Sequence, residues 1–201
     1  MIEQAVEAIR DGRPVVLPTD TVYGLCADPH HEASTREIYR MKGRPPEQPT
    51  ALLAKDVELL FELVPELRDQ AGTLVRALLP GPFTLILPNP GQRYRWLTGS
   101  TPEQIGVRVP ELTGPGADVL EQVGAVVATS ANLHGGPEPR RLEDVPVEIR
   151  AGAAAVLDGG ELPGTPSTVL DLTGEEPRVI REGTVPAVEA IERALAAAAG
   201  R

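Results

Sequence analysis

The sequence has little of what marks secreted, disulfide-linked or membrane-spanning proteins. Its single cysteine, Cys26, cannot form an internal disulfide, which is typical of a reducing compartment. Residues 1–4 lack both a basic and an apolar segment, so we expect no signal peptide. No apolar run approaches the roughly 18 residues that cross a bilayer. These absences predict a cytoplasmic protein without a membrane contact.

Basic and aromatic residues are also scarce, and this limits the kind of ligand that we expect. The 201 residues include 19 basic and 29 acidic side chains, for a net charge of −10. A protein that binds nucleic acid through bulk electrostatics usually has the opposite balance. One Trp, three Tyr and two Phe provide few of the stacking surfaces that bind single strands. Any contact with phosphate must therefore come from a local group of Arg and Lys.

Short apolar runs alternate with amphipathic segments along the chain, which is typical of an α/β fold. The apolar runs predict strands over 14–18, 51–54, 83–87, 105–109, 125–128, 153–157, 168–172 and 179–180. Amphipathic spacing predicts helices over 2–9, 33–41, 57–63, 65–79, 116–122 and 185–199. Residues 19–25 are expected to open a loop after the first strand. Because there is no internal repeat and no long linker, we expect residues 1–201 to form a single domain.

Several predicted strands and one helix end beside polar or charged side chains, and ligands of α/β sheets gather at such strand ends. Arg108 lies inside an apolar strand, where an arginine must be paired or must face a cleft. Taken singly, most of these residues fit a surface charge, a helix cap or a turn. Taken together, they predict a cleft for a small anionic ligand, most simply a polyphosphate. The set comprises Lys42, Arg44, Arg108, Arg181, Thr21, Ser130, Asn132 and Ser167.

The sequence lacks the short motifs of the common nucleotide-binding and hydrolytic classes. It contains neither G-x-x-x-x-G-K-[ST] nor G-x-G-x-x-G, and it has no G-x-S-x-G. His30, His31 and His134 lack metal-ligand spacing with a cysteine or an acidic residue, so no metal site is predicted. Without a covalent nucleophile, catalysis would depend on orienting the substrates and stabilising charge.

Seven segments occur in an order that resembles the YrdC-like threonylcarbamoyl-AMP synthases over about residues 5–184. One such segment would be a weak signal, but seven in order are specific. They are PTDTVYGL (18–25), KGRP (42–45), PGPFT (80–84), GVRVP (106–110), TSAN (129–132), PSTV (166–169) and IREG (180–183).

The resemblance implies a fold and an activity. The fold would be a twisted mixed sheet, mostly parallel, wrapped by helices and with a concave positive surface. The activity would be that of a nucleotidyltransferase that joins L-threonine, bicarbonate and ATP into L-threonylcarbamoyladenylate, with Mg²⁺, and releases pyrophosphate. Partner proteins would then transfer the threonylcarbamoyl group to the adenosine next to the anticodon of tRNA. A weak contact with RNA is part of the same expectation.

The resemblance also implies roles for the residues that match its motifs. Lys42 and Arg44 would be catalytic. ATP would be bound by Lys42, Arg44, Gln48, Gln104, Ser130, Asn132 and Arg181. Threonine would be bound by Thr21, Arg108, Ser167 and the backbone at Ala128.

One loop departs from the family pattern. His134 stands where a serine is common, and Glu138 stands where a polar nucleotide contact is frequent. The Gly135-Gly136-Pro137 segment predicts that the loop 133–140 is mobile and orders over the ligand.

Two other functions are compatible with the resemblance. The first is an RNA-binding translation or ribosome-assembly factor, which the concave positive surface would suit. The acidic balance and the few aromatics disfavour it. The second is a related domain that transfers a carbamoyl group from carbamoyl phosphate. Because that domain normally lies within a much larger chain, the length of 201 residues disfavours it.

Overall fold

The computed structural model describes residues 1–199, except for the side chain of Gln70, so the last two residues of the predicted domain lie outside it. The strands are β1 (Val15–Pro18), β2 (Tyr23–Ala27), β3 (Ala51–Ala54), β4 (Phe83–Pro88), β5 (Gln104–Arg108), β6 (Ala125–Ser130), β7 (Ala155–Val156), β8 (Thr168–Asp171) and β9 (Arg178–Arg181). The α-helices are α1 (Ile2–Arg10), α2 (Glu32–Lys42), α3 (Val57–Leu63), α4 (Glu66–Gln70), α5 (Gly72–Leu78), α6 (Gly114–Val123), α7 (Val147–Gly152) and α8 (Ala187–Ala199).

The strands of the described residues form one mixed sheet in the order β7-β1-β2-β6-β3-β5-β4-β8-β9. The predicted mixed α/β sheet is confirmed, but the expectation that it is mostly parallel is wrong. Within residues 1–199, three pairings are parallel and five are antiparallel. Residues 19–22 join β1 to β2, and residues 172–177 join β8 to β9. Such short connections allow only antiparallel neighbours, since a parallel crossover needs about a dozen residues.

Two further parts of the sequence prediction are corrected. Residues 19–25 are expected to open a loop, but residues 23–27 form β2, which is wholly buried between β1 and β6. The polar residues just before Tyr23 interrupt the apolar pattern, so the sequence does not indicate that a second strand begins there. The helix predicted over 65–79 divides into α4 and α5 at Ala71, whose backbone leaves the helical conformation (φ −120°, ψ 2°). Helix α7 is an addition that the sequence pattern does not predict.

Apolar side chains pack on both faces of the sheet, because successive strand residues point to opposite faces. In β3, Leu52 joins the larger cluster, which is shared with α2, α3, α4, α5 and α8. The next residue, Leu53, joins the smaller cluster, which is shared with α1 and α6. The same alternation in β2 places Leu25 in the larger cluster and Cys26 in the smaller one.

The helices cover the two faces to different extents, and this difference positions the site. The larger cluster includes residues of β4, β5 and β8, such as Leu85, Val107 and Leu170. Among the described residues, the smaller cluster under α1 and α6 contains no residue of these three strands. Their alternate residues, including Thr84 and Gly106, line a cleft instead. One half of the second face is therefore open to a ligand.

Candidate active site

The cleft over the open half of the sheet has a volume of about 520 Å³. Small and apolar residues of β3, β4 and β5 form its floor, among them Ala51, Ile86 and Gly106. A Cβ atom at Gly106 would lie 3.4 Å from the carbonyl oxygen of Thr50, which is an ordinary van der Waals contact. The sides of the cleft are formed by the ends of strands and by polar loops, which bring basic side chains over an apolar floor.

Lys42 is placed in the cleft by the way that helix α2 ends. Gly43 follows it in the left-handed conformation (φ 62°), which a glycine adopts at little cost. Lys42 is 3% exposed, and its Nζ donates hydrogen bonds to three acceptors. These are the carbonyl oxygens of Ser130 (2.5 Å) and Asn132 (2.7 Å) and Oδ1 of Asn132 (2.7 Å). All three donors of the ammonium group are therefore used within the protein.

The surroundings of Lys42 lower the pKa of its ammonium group to about 8. Burial is the main cause, because it disfavours the charged form, and the nearby Arg44 guanidinium adds to the effect. The carboxylate of Glu138 opposes both effects. At neutral pH the group therefore keeps its proton and its positive charge, while at alkaline pH it titrates.

Arg44 lies two residues beyond the helix end and turns back into the cleft. Its Nη2 donates to the carbonyl oxygen of Pro49 (2.6 Å), and its Nη1 reaches Oγ1 of Thr129 (3.5 Å). Its Nε is buried and has no hydrogen-bond partner among the described residues. Burial lowers the pKa of Arg44 from its usual value. The guanidinium thus retains one donor that no described residue uses.

Asn132 joins the end of β6 to the loop that closes this side of the cleft. Its Oδ1 accepts from Ser130 Oγ (2.7 Å) as well as from Lys42, and its Nδ2 donates to the carbonyl oxygen of Gly136 (2.6 Å). The loop 133–140 is attached at its start by the hydrogen bond from His134 N to the carbonyl oxygen of Lys42 (2.9 Å). One buried amide therefore connects the basic residue, the strand end and the loop.

Arg108 is the last residue of β5 and is 8% exposed. Its Nη2 forms an ion pair with Asp20 and donates to Oγ1 of Thr21 (3.3 Å). Thr19 closes this turn through a hydrogen bond from its Oγ1 to the carbonyl oxygen of Val22 (2.6 Å). The Nε of Arg108 is buried and unpartnered within residues 1–199.

Arg181 approaches the cleft from the edge strand β9. Its Nη2 donates to the carbonyl oxygen of Ser167 (2.9 Å) and to Ser167 Oγ (3.3 Å), and that hydroxyl also shares a hydrogen bond with Thr84 (2.8 Å). Desolvation of its guanidinium lowers the pKa of Arg181, Glu138 opposes this change, and the charges of Arg108 and Arg44 contribute to it. The charges of Arg44 and Arg108, which come from other parts of the chain, thus act on Arg181.

The structure brings ten of the eleven predicted site residues to this cleft. The exception is Gln48, which is absent from the described lining and has its Nε2 3.5 Å from Nε2 of His134, a lining residue. Which ligand each residue contacts stays a prediction. The ten are Lys42, Arg44, Gln104, Ser130, Asn132, Arg181, Thr21, Arg108, Ala128 and Ser167.

Sequence reasoning assigned no ligand to two residues at this site. Asp20 lies within a recognised motif, and the rule that a buried arginine must be paired could have indicated it as the partner of Arg108. Glu138 lines the cleft, and its Oε2 is buried with no hydrogen-bond partner among the described residues. The sequence motifs indicate only that Glu138 stands where a polar nucleotide contact is frequent, and the fold places this residue among the cations of the cleft.

Other candidate features take no part in this site. In the described part of the chain, no three His, Cys, Asp or Glu side chains are grouped so that they could hold a metal ion. Cys26 is buried in the smaller cluster, and burial raises the pKa of its thiol to about 12, so it stays protonated. No helix within residues 1–199 has the length and apolar character needed to span a membrane.

The sequence was compared with models of known protein families. Residues 7–183 match the Sua5/YciO/YrdC family, whose description reads "Telomere recombination". The chain belongs to this family. A threonylcarbamoyl-AMP synthase of Pyrococcus abyssi, which is similar to this chain, is 34% identical over 197 residues. The match covers 96% of this chain but 57% of that protein, so the chain spans little more than half the length of this relative.

Solved structures of Sua5/YciO/YrdC proteins share the fold. The crystal structure of Pyrococcus abyssi Sua5 complexed with L-threonine matches with a TM-score of 0.86 at 34% identity. That match covers 96% of this chain and 56% of the other. Escherichia coli YciO matches with a TM-score of 0.81 at 29% identity, over 94% of this chain and 92% of its own. The resemblance seen in the seven motifs and the α/β fold that it implies are thereby confirmed.

Proposed function

We propose that this member of the family is a threonylcarbamoyl-AMP synthase, a nucleotidyltransferase that makes L-threonylcarbamoyladenylate and pyrophosphate from L-threonine, bicarbonate and ATP. The observation that carries the proposal is the convergence of Lys42, Arg44, Arg108 and Arg181 on one cleft of a protein with a net charge of −10. The name of the Pyrococcus abyssi relative and the complex of its Sua5 with L-threonine support it.

The reaction has two bond-forming steps. The amine of threonine attacks the carbon of bicarbonate, and loss of water leaves an N-carboxy group. An oxygen of that group then attacks the α-phosphorus of ATP, the bond to the bridging oxygen of the β-phosphate breaks, and pyrophosphate leaves. Negative charge develops on the α-phosphoryl oxygens and on pyrophosphate, so fixed positive groups lower the barrier.

We assign different roles in stabilising this charge to the basic residues, according to whether each has a hydrogen-bond donor that the protein does not use. Arg44 has a buried, unpartnered Nε, so we assign it to direct contact with the triphosphate. Lys42 has no free donor, because Ser130 and Asn132 accept all three of its hydrogen bonds. We therefore assign to Lys42 a fixed positive charge and the placement of the strand end that faces the nucleotide, together with Arg181.

Threonine would lie on the side of the cleft formed by Arg108 and Thr21. Asp20 holds one end of the Arg108 guanidinium, and the buried Nε remains as a donor for the carboxylate of the amino acid. The hydroxyl of Thr21 can bond the polar end of the substrate, which would disfavour amino acids without a hydroxyl group. Ser167 and the backbone at Ala128 complete the predicted threonine contacts.

A magnesium ion would accompany the triphosphate and offset part of its negative charge. Mg²⁺ is commonly bound by one or two carboxylates together with substrate phosphates and water, rather than by a full set of protein ligands. Glu138, whose Oε2 has no partner among the described residues, fits this requirement. The chain's own residues would bind and orient threonine, bicarbonate and ATP.

We also propose the setting of the reaction. Residues 1–201 would act as one catalytic domain, which the continuous sheet supports. The adenylate would pass, in the cytoplasm, to proteins that transfer its threonylcarbamoyl group to the adenosine next to the anticodon of tRNA. A weak contact of this chain with RNA belongs to the same proposal.

The test is to incubate the purified protein with ATP, Mg²⁺, threonine and bicarbonate and to measure pyrophosphate while each component is omitted in turn. We expect release only in the complete mixture. Tight RNA binding that falls steeply with salt, with no pyrophosphate release, would support an RNA-binding factor instead. A requirement for carbamoyl phosphate in place of threonine and bicarbonate would support the carbamoyl-transferring domain.

A further inference from the structure

Glu138 is an unusual residue for a site that binds a triphosphate. Among the described residues that line the cleft, it is the only one with a carboxylate. Its charge acts on both Lys42 and Arg181, which are two of the predicted ATP-binding residues. Its Oε2 is nevertheless buried without a hydrogen-bond partner within the described part of the chain. This residue of the cleft lining therefore has a carboxylate oxygen that no hydrogen bond from the described residues satisfies.

The segment that carries Glu138 is attached to the sheet on both sides. After it, the carbonyl oxygen of Pro139 accepts a hydrogen bond from the amide of Tyr23 (3.0 Å), the first residue of β2. Before it, the carbonyl oxygen of Gly136 accepts from Nδ2 of Asn132 (2.6 Å). The backbone on both sides of Glu138 is thus held, which keeps this residue at the cleft.

A carboxylate beside a triphosphate repels it, because two like charges close together in a partly buried site destabilise each other. The repulsion becomes an attraction if a divalent cation lies between the two groups. Mg²⁺ suits that position, since it prefers oxygen ligands and combines a carboxylate with phosphate oxygens and water. The unpartnered Oε2 and the absence of any other carboxylate in the described lining single out Glu138 for this role.

We propose that Glu138 binds the Mg²⁺ that accompanies ATP, directly or through one of the water molecules of the ion, and so selects the magnesium complex over free ATP. This inference rests on the proposed function, because it takes ATP as the ligand of the cleft. It goes beyond the predicted contacts, which assign Glu138 no ligand. It also gives a role to a residue that departs from the family pattern.

The test compares two affinities for a non-hydrolysable ATP analogue by calorimetry, one with excess Mg²⁺ and one with EDTA. For the unchanged protein we expect binding that is about tenfold tighter with Mg²⁺, within the usual range of coupling between two ligands. In Glu138→Gln, which keeps the shape and removes the charge, that ratio should fall to about two or less. Binding in EDTA should become tighter than in the unchanged protein, because the repulsion is gone.

The two conditions separate the alternatives. If Glu138→Gln tightens binding of the analogue by the same factor with Mg²⁺ and with EDTA, the carboxylate only repels the phosphates, and the inference is wrong. If it changes neither affinity, Glu138 contacts neither ion nor nucleotide, and the inference is again wrong. If the unchanged protein fails to bind the analogue in either condition, the proposed function itself fails. Glu148→Gln, at an exposed position of α7, is the matched control and should leave both affinities unchanged.

Discussion

The Nζ atom of Lys42 lies 2.7 Å from Oδ1 of Asn132, although the two residues are 90 positions apart in the chain. The same ammonium group also bonds the carbonyl oxygens of Ser130 and Asn132, so it ties the end of α2 to the end of β6. This contact makes Lys42 a positioning group as well as a charge. It also makes the shape of the side of the cleft that we assign to the nucleotide depend on the protonation of one side chain.

The first prediction concerns pH. The pKa of Lys42 is lowered to about 8, so the group loses its charge as the pH rises through that value. We expect the affinity for an ATP analogue to fall about tenfold between about pH 7 and pH 9.5, because a buried cation is lost while the triphosphate stays ionised. Lys42→Arg should bind without this alkaline decrease, since arginine keeps its proton throughout. A pH-independent affinity in the unchanged protein would contradict the role of Lys42.

The second prediction concerns Asn132. Replacement by Ala removes an acceptor of Lys42 and the donor to Gly136, and it leaves buried groups unpaired. We expect a loss of about 1–3 kcal/mol in the free energy of unfolding, measured with urea, and weaker binding of the ATP analogue. Ser130→Ala removes only the hydroxyl that donates to Asn132 and should cost less. Equal losses in the two variants would show that the contacts to Lys42 and Gly136 add nothing.

The third prediction separates the threonine side from the nucleotide side. Arg108→Ala should weaken threonine binding by about tenfold or more, the value of a charge-assisted hydrogen bond, and change the affinity for the ATP analogue much less. Calorimetry with each ligand measures both. Because the variant leaves Asp20 without its partner, Asp20→Asn with Arg108→Ala serves as the control for folding. The double variant should regain stability without regaining threonine binding, and recovery of threonine binding would reassign Arg108.

The fourth prediction uses the floor of the cleft. Gly106 has room for one more carbon atom, since a Cβ atom at this position would lie 3.4 Å from the nearest neighbouring atom. Gly106→Ala should therefore keep the fold and most of the ligand affinity. Gly106→Val, which adds branched bulk above the floor in a strand that accepts such residues, should reduce affinity for threonine and for the ATP analogue at nearly unchanged thermal stability. If the valine variant binds normally, the ligands do not occupy this floor.

Much of the site could be predicted from the sequence because its residues stand next to features that local rules describe. Lys42 precedes a helix-ending glycine, Ser130 ends an apolar strand, and Arg108 is an arginine within an apolar run. Each of these positions is set by local structure. Their order along the chain then identified the family, which no single position could do.

The features that the sequence did not predict depend on contacts between distant segments. Whether strands run parallel or antiparallel depends on their order in the sheet, and β3 pairs with β5 and β6 rather than with its neighbours in the chain. The pairing of Asp20 with Arg108 spans 88 residues. Glu138 lines the cleft beside Pro139, whose carbonyl oxygen accepts a hydrogen bond from the first residue of β2. Local patterns carry no signal for such contacts.

The central claim is that basic residues from separate elements form one site in which threonine, bicarbonate and ATP react. Reaction with carbon-13-labelled bicarbonate, followed by mass spectrometry of the adenylate, tests it most directly. We predict a labelled threonylcarbamoyl adenylate from the unchanged protein and from Arg40→Ala, at an exposed position of α2, but at least about a hundredfold less from Arg44→Ala. An unlabelled adenylate, or full activity in Arg44→Ala, would contradict the account.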